Sequence, residues 1–184
     1  MITIKSEHEL ELMRQAGKIT AAARALAGEM VRPGVSTKAI DQAVYDYIMS
    51  QGARPSFLNY GGFPASACIS VNNTIVHGIP NGSILKEGDI VSVDVGAYYK
   101  GFHGDCAATY ACGAISTEAQ RLIDVTKQSF FEGLRFVRKG HRVQDISHAI
   151  QTYVESNGFS VVSGRTMSPV SFCGLYSTPF LRMA

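Results

Sequence analysis

The chain has 184 residues, 46% hydrophobic and 17% charged, with a formal net charge of +2. That balance supports one ordinary buried core and excludes a disordered or collagen-like chain. A polyanion binder usually carries a stronger basic excess, so no specific nucleic acid is expected as a partner. No all-apolar run approaches the ~20 residues of a membrane helix, and the polar start Met1-Ile-Thr-Ile-Lys-Ser-Glu7 lacks a signal-peptide core, so a cytoplasmic protein away from membranes is expected. Four cysteines, at 68, 106, 112 and 173, form no CxxC pair, which fits reduced thiols better than a structural zinc site.

In chain order, Ser6 and Glu9 form a capping box before a helix whose apolar positions are Leu10, Met13, Ala16, Ala23, Leu26 and Met30. Pro33-Gly34 ends it. Ser36 or Thr37 caps a second helix with Ile40, Val44, Tyr47 and Ile48 on its inner face and Gly52 as its stop. Residues 53–65, with Pro55, Gly61, Gly62 and Pro64, read as a loop. Cys68–Val71 and Thr74–His77 read as short extended pieces. Ile90–Tyr99 and Phe102–Tyr110 read as a hairpin turning at Lys100-Gly101. Two more helices are expected, one after Ser116 with Leu122, Val125, Phe130 and Leu134 as its stripe, and one over Val143–Ser156.

The two helical stretches repeat at a constant offset of 106 residues: Val31-Arg32-x-Gly34 matches Val137-Arg138-x-Gly140, and Ile40, Ala43, Tyr47 and Gly52 match Ile146, Ala149, Tyr153 and Gly158. Such self-similarity predicts a duplicated architecture. The expected division is a catalytic-type domain over residues 1–162, made of a first repeat (6–112) and a partial second repeat (116–162), followed by a tail of different composition at 163–184.

Asp94 and Asp105 flank the hairpin. With a two-residue turn at either Tyr99-Lys100 or Lys100-Gly101 the two aspartates share one face, directly opposite or one diagonal step apart, and opposite Cβ atoms lie ~4.5–5.5 Å apart. Carboxylates that close repel unless a cation lies between them or one is protonated. A divalent metal with hard oxygen ligands is one solution, and a solvated sheet edge is the other.

Beyond the spacing, the chain resembles type I methionine aminopeptidases of the duplicated pita-bread fold. The resemblance rests on Cys68-Ile-Ser-Val-Asn72, His77-Gly-Ile-Pro80, Lys86-Glu-Gly-Asp-Ile-Val-Ser-Val-Asp94 and Gly101-Phe-His-Gly-Asp105, with Glu11–Gly17 and Val31–Val35 in support. It implies an α+β fold with an internal pseudo-two-fold and, here, an incomplete second repeat. It implies two divalent metal ions (Co, Mn, Fe or Zn) held by two Asp, one His and two Glu, of which Asp94 and Asp105 match the aspartates. It implies a substrate-contacting catalytic His77 and a methionine pocket lined by Tyr60, Phe63 and Cys68. Phe57 stands where many relatives carry a cysteine. His103, two residues before Asp105, suits either a supporting or a purely structural role. The implied activity is removal of the initiator methionine from methionyl peptides and nascent chains by a monomer, with the ribosome as a further candidate partner.

After Val162 the sequence departs from the family motifs. No His follows His148 and no Asp or Glu follows Glu155, so the other three ligands are absent from that stretch. The expectation is a truncated chain with impaired catalysis, the alternative being a non-catalytic fragment or a protein-binding module of the same fold.

Overall fold

The computed structural model describes residues 4–161 and 181–183. Helix α1 spans Glu7–Met30 and opens with the expected capping box: the Glu9 amide donates to Ser6 Oγ and the Ser6 amide to the Glu9 carboxylate at 2.7 Å. Its buried face keeps Ala16 and Ala23 of the expected stripe but not Met13. Ala16, Thr20, Ala23 and Ala27 are buried, while Met13 is 39% exposed. Small side chains win because α1 lies directly on a strand: a Cβ added at Gly104 would collide with the Ala16 carbonyl and the Thr20 hydroxyl. Helix α2 (Thr37–Ser50) is capped by Ser36 Oγ, which accepts from the Ala39 amide, and buries Ile40, Val44 and Ile48 as the periodicity predicts.

A four-stranded antiparallel sheet follows. Strand β1 (Arg54–Pro55) and strand β2 (Ala67–Val71) pair with the same edge of β3 (Ile90–Tyr99), and β4 (Phe102–Ala111) pairs with its other edge. The β3–β4 turn is Lys100-Gly101, with φ of 45° and 97°, as a tight two-residue hairpin requires. Alternation then splits the sheet. Val91, Val93, Val95 and Ala97 pack with Ala23, Ala27, Ile40, Val44 and Ile48 in the main core. The opposite face carries Cys68, Ser70, Ser92, Asp94, Gly96 and Asp105, as the register dictates.

The expected extended piece Thr74–His77 is instead part of a loop. Ile75 and Val76 are 46% and 39% exposed, and among the described residues neither takes part in a strand pairing; β-branched residues alone do not make a strand. Asn72 anchors the loop, accepting from the Ile90 amide at 3.0 Å and donating to Asp89 at 2.8 Å.

Helices α3 (Thr117–Leu134, capped by Ser116) and α4 (Val143–Ser156) form a second, smaller core of Val125, Ile150, Val154 and Phe159. In α3 the buried residues are Val125, Thr126, Ser129 and Gly133, and Leu134 stays 41% exposed. Leu122 and Val125 of the expected stripe therefore face the core, while at its end Gly133, where a Cβ would press on Ile150 and Ile146 of α4, takes the place expected for Leu134. Strand β5 (Phe159–Val161) pairs with β6 (Leu181–Met183). The expected 163–184 tail and Cys173 lie outside the described residues apart from the β6 backbone.

Candidate metal centre

The hairpin places the two aspartates. Tyr99 pairs with Phe102, so Asp94 sits opposite Ala107, and Asp105 sits opposite Gly96, one diagonal step away on the same face. The two carboxyl groups come within hydrogen-bonding reach. Burial first, and then the neighbouring Asp105, push the Asp94 carboxyl up to about 7. Asp105 is the more open of the two and is raised by burial against the hydrogen bond from Asp94. The pair therefore shares one proton, held by Asp94 and donated to Asp105.

Asp94 Oδ1 is buried and has no hydrogen-bond partner. A buried, unpartnered carboxylate oxygen beside a second carboxylate is costly in an apolar strand and fits a hard divalent cation. Among the described residues, no third His, Cys, Asp or Glu converges with the pair to complete a metal-holding cluster.

Cys68 lies directly across from Asp94 on β2, and His77 reaches it from the following loop, with Nδ1 3.7 Å from Sγ. The loop is held down at Gly78, whose carbonyl accepts from the Ile69 amide at 2.9 Å and whose amide donates to Ser70 Oγ at 3.1 Å. A side chain there would strike the Ile69 carbonyl. Burial, then Asp94 and Asp105, push the Cys68 thiol up to about 12, so it stays protonated.

Asp94, Asp105, Cys68 and His77 thus share one end of the sheet face. Tyr60 and Phe63 lie in the loop before β2, around a 3-10 turn at Tyr60–Gly62, where Tyr60 is 81% exposed and Phe63 partly buried. Phe57 packs its ring over Gly96, the residue paired with Asp105. His103 points to the same region, but its contacts are structural: Nδ1 lies 2.8 Å from Ser56 Oγ and the ring lies 4.8 Å from that of Tyr98. It also steadies the charge on Asp105.

Sequence reasoning missed Asp41. Its Oδ1 accepts from the Ser66 and Ala67 amides at 2.8 and 2.9 Å, fixing the start of β2 from α2. No local motif announces a contact between residues 25 positions apart.

The sequence matches metallopeptidase family M24 over residues 11–174. It is 51% identical over 162 residues to methionine aminopeptidase of Clostridium perfringens, and 49% identical over 162 residues to methionine aminopeptidase 1 of Bacillus subtilis. Each match takes in 88% of this chain and 65% of the relative, so the chain spans somewhat less than two thirds of the length of these relatives. Among solved structures, methionine aminopeptidase from Rickettsia prowazekii superposes with a TM-score of 0.86 at 40% identity, over 88% of this chain and 65% of that one. The Xaa-Pro dipeptidase from Bacillus anthracis has a TM-score of 0.74 at 24% identity, over 84% and 42%, which supports the fold alone. The fold is the pita-bread arrangement that the motifs imply. A metallopeptidase family implies divalent metal ions, and the chain belongs to metallopeptidase family M24.

Proposed function

We propose that this chain carries the aspartate half of a methionine aminopeptidase site, cleaving the first peptide bond of methionyl peptides and nascent chains in the cytoplasm. The observation that carries the reading is the Asp94–Asp105 pair, with a buried and unpartnered oxygen on Asp94, set beside His77 and Cys68 in an M24 chain. Asp94 and Asp105 are the residues that would hold divalent metal, and Co, Mn, Fe and Zn all accept such oxygen-rich shells. A cation bound there supplies charge stabilisation and an acidified water.

The chain's own residues do the rest. His77 lies at the exposed mouth of the site, where an imidazole N–H can hold the substrate carbonyl. Cys68, Phe63 and Tyr60 offer sulfur and aromatic surface that suits a thioether side chain. Before any cation binds, Asp94 keeps its proton, which prevents two bare carboxylates from facing each other.

Two carboxylates leave most of a coordination shell to water, so this 184-residue chain should bind metal weakly and turn over slowly. A methionine-release assay on a Met-Gly-Met peptide with added Mn²⁺ or Co²⁺ tests this. Slow release that disappears in Asp94→Asn and Asp105→Asn is expected. Release unaffected by either substitution would overturn the assignment of the site.

A further inference from the structure

We propose that Cys68 is a positioning residue: its thiol donates to Nδ1 of His77, fixing the imidazole as the tautomer protonated on Nε2. Three observations carry this. Sγ and Nδ1 lie 3.7 Å apart, a hydrogen-bonding distance for sulfur. His77 has φ of 55°, the left-handed region that a non-glycine residue rarely occupies. The backbone is held there by two hydrogen bonds from Gly78 to β2, and strain retained by surrounding bonds marks a residue whose placement matters.

The direction of the bond follows from the chemistry of the two atoms. A thiol sulfur is a weak acceptor, whereas an unprotonated imidazole nitrogen is a good one. A cysteine thiol gives up its proton only where a cation or donor stabilises the thiolate, and Cys68 is 6% exposed, so the proton stays on sulfur and is available to donate. Nε2, which has no hydrogen-bond partner among the described residues, is then left as an N–H donor. A thiol in this position thus does more than line an apolar pocket: it sets which ring nitrogen of His77 can bind a substrate carbonyl oxygen. That last role rests on the proposed peptidase reading, while the tautomer itself does not.

Long-range proton–nitrogen correlation spectra of the nitrogen-15-labelled full chain read the tautomer directly, without metal or substrate. The His77 signal is assigned by its loss in His77→Asn among the chain's five histidines. The wild-type ring is expected to be protonated on Nε2. In Cys68→Ala the ratio of the Nε2–H to the Nδ1–H form should fall about threefold, the worth of one weak neutral hydrogen bond, and Cys68→Ser should restore it. A wild-type ring protonated on Nδ1, an unchanged ratio in Cys68→Ala, or a serine variant that behaves as alanine would each overturn the assignment. None of these results depends on whether the chain cleaves peptides.

Discussion

A carboxyl group buried beside a second carboxyl can be neutralised by a proton or by a cation, and Asp94 is open to both. Without a cation it holds its proton up to about 7, against an ordinary value of 3.8. The folded state therefore binds more protons than the unfolded chain between those values. The stability this group contributes is fully present below about pH 4 and is lost as pH rises through about 7. Thermal melts of wild type and Asp94→Asn across pH 4–8 should show the wild type losing stability relative to the variant as pH rises. A difference that stays flat would mean that Asp94 does not carry a raised pKa. At this scale the sequence was informative where one turn decides the geometry: the Lys100-Gly101 turn sets the register, and the register puts both aspartates on one face. It was silent on the Cys68–His77 contact, which depends on a loop folding back over β2.

At the scale of elements, the sheet is legible from alternation and the helices from their caps, but the packing between them is not. Of the stripe expected for α1, Ala16 and Ala23 are buried and Met30 packs on the core, whereas Met13 stays exposed and Thr20 and Ala27 join the buried face. Periodicity reports which side of a helix is apolar, whereas the distance to a neighbour decides which residues fit, and Gly104 sets that distance. Gly104→Ala should cost about 1–3 kcal/mol, the usual penalty for overpacking a well-filled interface. Urea unfolding followed by circular dichroism would measure it, and an unchanged midpoint would show that α1 has room to move. The failed extension at Thr74–His77 has a local cause: strand propensity is present, but a φ of 55° at His77 breaks the extended backbone just before Gly78 bonds to β2.

For the whole molecule, the repeat visible in the sequence corresponds to two helix pairs of unequal support. Helices α1 and α2 pack on a four-stranded sheet, whereas α3 and α4 share with β5 a core of four buried residues among the described ones. Native-state amide exchange should therefore show α3 and α4 opening at a lower free energy than β3 and α1. Equal protection throughout would mean that the two cores unfold as one unit.

The proposed function requires that Asp94 and Asp105 hold a divalent cation. Calorimetric titration of the chain with Mn²⁺ at about pH 6, in buffers of different ionisation enthalpy, tests it most directly. Weak binding is expected in the wild type, with a heat that varies between buffers because Asp94 releases its proton, and no binding is expected in Asp94→Asn or Asp105→Asn. Wild-type heats that match those of both variants, or that show no proton release, would contradict it.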